Sequence, residues 1–143
     1  MNLLGGRIIA KAKCARWQGC CLRTMRRWRP DAFEAAKREA ANLPPTLKVP
    51  VSAARIGPLA IATNAGELFV EWGLSIKKRS PFPHTIVSEL TNDWVGYEPT
   101  AQAFEHEGYE TLAGVDFVSL QGIQMLVDTS VELLQQLAAE DRQ

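Results

Sequence analysis

Two side chains stand where chemistry could be done. Glu67 follows Gly66 in "TNAGELFVEW", at the point where an extended run gives way to helical spacing. Backbone N–H groups point outward at such a junction, and anions or metals are commonly received there. The plainer role is a glutamate in a first helical turn, complementing the helix dipole. Tyr97 lies in "GYEPT", after one extended run and before a helix. Its plainer role is a half-buried tyrosine with its hydroxyl on a backbone group. Asn92 and Asp93 are turn residues by type. His84, between Pro83 and Thr85, reads as a strand-entry histidine, and His106 in "FEHEG" as a solvated one. There is no Ser-His-Asp order, phosphate-binding glycine loop or His-Glu-x-x-His motif. Cys14, Cys20 and Cys21 are odd in number, irregularly spaced and far in sequence from both histidines. They support neither a disulfide framework nor a zinc knuckle nor a Cys-His nucleophile.

The elements around these residues follow from periodicity and punctuation. Asp31 opens a helix in which Phe33, Ala36 and Ala40 recur at helical spacing, and "NLPP" at 42–45 ends it. Leu47, Val49, Val51 and Ala53 alternate, as do Leu59, Ile61 and Thr63. With Gly57-Pro58 between them, Val51–Ile56 and Leu59–Thr63 are expected to pair as a hairpin. From Glu67 the period becomes helical, through Leu68, Phe69, Trp72 and Ile76. Lys77, Lys78 and Arg79 close that helix, and Pro81 and Pro83 stop it. "HTIVSEL" is a third short strand with Thr85 and Val87 on one face. Thr100 caps a helix from Ala101 to Glu107, and Ser119 caps a long one striped by Leu120, Ile123, Val127, Val131, Leu134 and Leu137. The resulting fold class is α/β, a small mixed sheet with helices.

The chain has 143 residues, 46% hydrophobic and 22% charged, which suits one globular domain. No apolar run nears the length of a membrane span. The net charge of zero hides a division. Arg7, Lys11, Lys13, Arg16, Arg23, Arg26, Arg27 and Arg29 all lie within residues 1–30, which hold no acid, and all 16 acids lie within residues 31–143. Residues 1–30 therefore read as a basic leader, poorly ordered, and 31–143 as a single α/β segment. Trp17 and Trp28 among those arginines would also suit a nucleic-acid-binding arm, with cations on phosphates and rings on bases. That is the lesser reading, because a charge run is usually solvated. A transit peptide would be richer in serine, and no clear secretory signal is seen, so the sequence reads as cytoplasmic as it stands and leaves the compartment open.

The run "RIGPLAIATNAGELFVEWGLSIKKRSPFPHTIVSELTNDWVGYEPTAQAFEHEGYET" resembles the neutral/alkaline ceramidase family. The residues that carry the likeness are Ala65-Gly66-Glu67, Asn92, Tyr97 with Thr100, Phe104 and Tyr109-Glu110, within roughly residues 45–140. The resemblance implies a zinc-dependent amide hydrolase acting on a lipid amide or another amide. It implies Glu67 and Tyr97 as two zinc ligands, with Tyr97 also catalytic through its oxygen near the metal. Two further ligands in that family are histidines from earlier in the catalytic domain, and upstream of Glu67 this chain has no histidine. The expectation is thus the C-terminal part of a larger ceramidase-like catalytic domain, inactive alone and completed by a missing N-terminal half or a second chain. A non-enzymatic interaction module derived from that fold is the alternative.

Overall fold

In the computed structural model the described residues are 2–11, 31, 34–35, 38, 41–42, 44–106, 108–112 and 114–140. The described positions from 31 to 41 are helical, and Asn42 N–H closes on the Arg38 carbonyl at 3.2 Å, where the chain meets Pro44-Pro45. β2 (Thr46–Ile56) and β3 (Leu59–Thr63) form the expected hairpin, in a register that pairs Ser52 with Thr63 and Ile56 with Leu59. Gly57, at φ 58°, takes the left-handed turn position that a side chain would resist. The alternating run before it, from Leu47 to Ala53, lies within one strand of 11 residues.

β4 (Glu67–Leu68) follows, then α1 (Val70–Arg79), β5 (His84–Ser88), β6 (Tyr97–Glu98), α2 (Ala101–His106), a 3₁₀ turn at Tyr109–Thr111 and α3 (Leu120–Glu140). β5 runs parallel to β3, with Ala60 opposite Thr85 and Ala62 opposite Val87. Residues 2–11 differ from the expected leader: Asn2–Lys11 is strand β1, antiparallel to β2 along its whole length. Its apolar residues come in pairs, Leu3-Leu4 and Ile8-Ile9, so no alternation marked it. Residues 12–30, with Trp17, Trp28 and the three cysteines, lie outside the described residues. The main sheet has the order β1-β2-β3-β5, and β4 pairs with β6 in a second, two-stranded sheet. The architecture is mixed α/β, small sheets with helices.

One sheet face carries the core. α3 lies against β1, β2 and β3, while α1 packs on α3 and β5. Val49, Val51, Ala53, Ala60 and Ala62 point to the helices and are essentially inaccessible. The alanines leave room for Ile123, Val127, Leu134 and Leu137, which are fully buried. Each such side chain contributes about 1.5–3 kcal/mol by burial. The caps are as expected: Thr100 Oγ1 accepts Ala103 N–H at 3.2 Å, and Ser119 Oγ accepts Gly122 N–H at 3.1 Å. Among the described residues, no helix is long and apolar enough to cross a membrane.

Candidate functional site

Helical spacing from Glu67 suggested that its carboxylate opens a helix. The helix instead begins at Val70 with Phe69 as N-cap, and Glu67 lies in strand β4. The reason is the partner strand. Glu67 N–H donates to the Gly96 carbonyl at 2.9 Å, and Phe69 N–H to the Glu98 carbonyl at 3.3 Å. Two residues carry no period of their own, so only the tertiary pairing defines them. That pairing is parallel and sets Glu67 directly opposite Tyr97. Neighbours in register share a sheet face, so both side chains emerge on the same side.

The two groups influence each other electrostatically. A hydrogen bond to the Glu67 carboxylate is the largest cause that raises the Tyr97 phenol above its ordinary pKa of 10.0; desolvation and the charges of Glu67, Tyr109 and Glu110 add to it. Tyr97 therefore keeps its proton through neutral pH in the metal-free chain. Tyr109 meets Tyr97 edge-on, ring centroids 6.1 Å apart. Trp94, in the loop before β6, donates its indole N–H to Glu67 Oε1 at 3.4 Å and sets its ring edge-on to Phe117. Glu89, at the end of β5, also faces the pair. Desolvation first, then the charge of Glu67, raises its carboxyl above 4.5, against a backbone hydrogen bond from Leu68. The loop between contains two non-glycine residues at positive φ, Leu90 at 51° and Asn92 at 68°. Asparagine is at home there and leucine is not.

Behind the pair lies a polar cluster that periodicity did not reveal. Glu98 follows Tyr97 and therefore points the other way, into the protein, where it is wholly buried. Asn64 Nδ2 donates to Glu98 Oε2 at 2.6 Å, and Asn64 Oδ1 accepts Gly66 N–H at 2.8 Å. Among the described residues, Glu98 Oε1 has no hydrogen-bond partner. Burial pushes the Glu98 carboxyl up to about 8; the Asn64 bond opposes this, and the charges of Asp116 and Glu89 add to it. It is a neutral acid at pH 7. Gly66 is what admits it: a Cβ there would lie 2.6 Å from Glu98 Cδ. The signals for Glu98 in the sequence were slight, a carboxylate between Tyr97 and Pro99 and a glycine placed far upstream.

The other candidates do not converge on this place. His84 is exposed at the start of β5, and His106 is exposed at the end of α2. Asn92 and Asp93 are exposed in the loop before β6. Thr100 is engaged as the cap of α2. Among the described residues, no group of three or more histidine, cysteine or acidic side chains could hold a metal. Glu67 and Tyr97 offer two adjacent oxygen donors. A catalytic zinc takes three protein ligands and a water, so the pair fits as part of a donor set and is insufficient by itself.

No protein-family model matches the chain, and no curated protein matches it. Among solved structures, a ceramidase complexed with C2 matches with a TM-score of 0.57 and 19% identity, covering 68% of this chain and 16% of that one. The neutral ceramidase from Pseudomonas aeruginosa matches at a TM-score of 0.49 and 22% identity, over 65% of this chain and 16% of that one. The chain thus spans about 16% of the length of the ceramidases it is similar to. At this identity the likeness is one of fold: the mixed α/β arrangement described above corresponds to part of a ceramidase.

Proposed function

We propose that this chain is a segment of a ceramidase-like, zinc-dependent amide hydrolase. It supplies a carboxylate, Glu67, and a phenol, Tyr97, to the metal, and it needs further ligands from polypeptide outside it before it can turn over. The observation that carries this reading is the register of β4 and β6, which sets Glu67 opposite Tyr97 with both side chains on one face of the sheet. Likeness of fold to part of a ceramidase supports it. Zinc, when bound, polarises the substrate carbonyl and lowers the pKa of its water to about 7. Glu67 contributes negative charge and one oxygen to holding the cation. The Tyr97 hydroxyl, beside the metal, would steady the oxyanion that develops when an amide carbonyl is attacked. A lipid amide is the substrate class that the fold likeness favours.

The test is calorimetric titration of zinc into the chain with imidazole present to stand in for absent nitrogen ligands. Binding should weaken by about tenfold or more in Glu67→Ala and in Tyr97→Phe, since each deletes a ligand or its partner. Equal affinity in the wild type and the double variant would sink the reading. A second reading has one observation in its favour: α1 and β5 expose Val70, Leu74 and Ile86, at 67%, 58% and 48%. Apolar surface of that kind suits an interaction module without catalysis. Indifference to zinc together with self-association would favour it.

A further inference from the structure

We propose that Glu98 is a positioning residue for the Glu67–Tyr97 pair: its carboxyl, braced between Asn64 and Gly66, fixes how the two short strands lie against each other. The importance of that alignment for metal binding rests on the reading of Glu67 and Tyr97 as ligands.

β4 and β6 are two residues each, and the bonds flanking their ladder, Glu67 N–H to the Gly96 carbonyl and Phe69 N–H to the Glu98 carbonyl, are 2.9 and 3.3 Å long. So short a ladder holds register poorly without help from packing. Asn64 supplies the help. Its backbone continues the main sheet: Asn64 N–H donates to the Ser88 carbonyl at 2.8 Å, and Thr91 N–H donates to the Asn64 carbonyl at 2.9 Å. Its side chain then reaches two ways, accepting from Gly66 beside Glu67 and donating to Glu98 beside Tyr97. One amide, 2% exposed, therefore ties the main sheet to both strands of the pair.

Glu98 is the half of this tie that acts on Tyr97. Neighbours on a strand face opposite ways, so an inward residue held still fixes the direction of the outward one. The carboxyl occupies the space a side chain at position 66 would take. It is thus pressed on the backbone of one strand while growing from the other. Packing alone would be served better by an apolar side chain, because Glu98 leaves one buried oxygen without a partner among the described residues. A hydrogen bond adds direction, which packing does not.

The experiment uses the full chain, ¹⁵N-labelled. The reporter is the Trp94 indole N–H, which donates to Glu67 Oε1; its cross-peak is identified by its absence in Trp94→Phe. Glu98→Gln keeps an acceptor for Asn64 and should leave the peak in place. Glu98→Leu keeps the bulk without the hydrogen bond, and Asn64→Ala cuts the tie with Glu98 intact. Both should displace the peak and weaken zinc binding, measured with imidazole, by about tenfold or more. If Glu98→Leu does not fold, Asn64→Ala decides. A folded variant lacking the tie, with its Trp94 peak unmoved, overturns the proposal. Zinc binding indifferent to Glu67→Ala overturns the ligand reading alone, because the indole reports alignment without metal.

Discussion

Replacing Glu98 by glutamine should abolish a pH dependence built into the fold. The carboxyl titrates at about 8 in the native chain, against an ordinary value of 4.5. The sign follows from proton counting. Below pH 4.5 both native and unfolded states hold the proton, and the group's stabilising effect is fully present. As pH rises past 4.5 the unfolded chain releases its proton while the native chain keeps one, so unfolding is favoured progressively. The loss stops near pH 8, where the native state also ionises. At about 1.4 kcal/mol per pH unit, the interval from 4.5 to about 8 amounts to about 5 kcal/mol. That is a large part of the ~5–15 kcal/mol by which domains are usually stable. Glutamine keeps the shape and offers its carbonyl to Asn64 but has no proton to lose. The assay is urea unfolding at pH 5, 6, 7 and 8 for both proteins. Glu89, whose carboxyl is raised in the same direction, is present in both, so the difference isolates Glu98. The variant should match the wild type within about 1 kcal/mol at pH 5 and gain about 1.4 kcal/mol on it per unit thereafter. With an m-value of about 2 kcal/mol/M, the midpoints separate by about 2 M by pH 8. Curves offset by a constant amount across this range would refute the neutral-acid assignment.

Two further substitutions probe the same region. Gly66→Ala sets a methyl 2.6 Å from Glu98 Cδ and should cost about 1–3 kcal/mol in urea unfolding, with most of the loss recovered when Glu98→Ala is added. Leu90→Gly frees a backbone held at φ 51° by a side chain that is 56% exposed, and thermal unfolding should show a gain of about 0.5–1 kcal/mol.

The elements legible in the sequence are those whose signals are local. The β2–β3 hairpin is set by alternation on both sides of Gly57-Pro58, and α3 by a serine cap followed by a stripe of aliphatic residues. β4 and β6 have no such signal. Helical spacing through Leu68, Phe69, Trp72 and Ile76 extended α1 backwards over Glu67, and only the carbonyls of Gly96 and Glu98 draw Glu67 into a strand. The identity of Glu67 and Tyr97 as candidates came from a resemblance. Their adjacency is tertiary, a register between segments that sequence distance conceals.

Glu98 shows why the rest of the site was out of sight. In sequence, Glu67, Glu89 and Glu98 are three glutamates near turns, and only Glu67 was singled out, by its junction after Gly66 and by resemblance. The fold ranks them by direction. Parallel pairing turns Glu67 outward with Tyr97, and the one-residue step from Tyr97 to Glu98 turns the third carboxylate into the core. There it meets Asn64 and the bare face of Gly66, loses its water and becomes a neutral acid. Water on one side and none on the other is enough to separate a group suited to a cation from one suited to hold a strand in place. A single dipeptide, Tyr97-Glu98, therefore carries both a candidate ligand and its anchor. Shifting β6 by one residue would bury the phenol and expose the acid. For this site, register against β4 is the property that a sequence change must preserve.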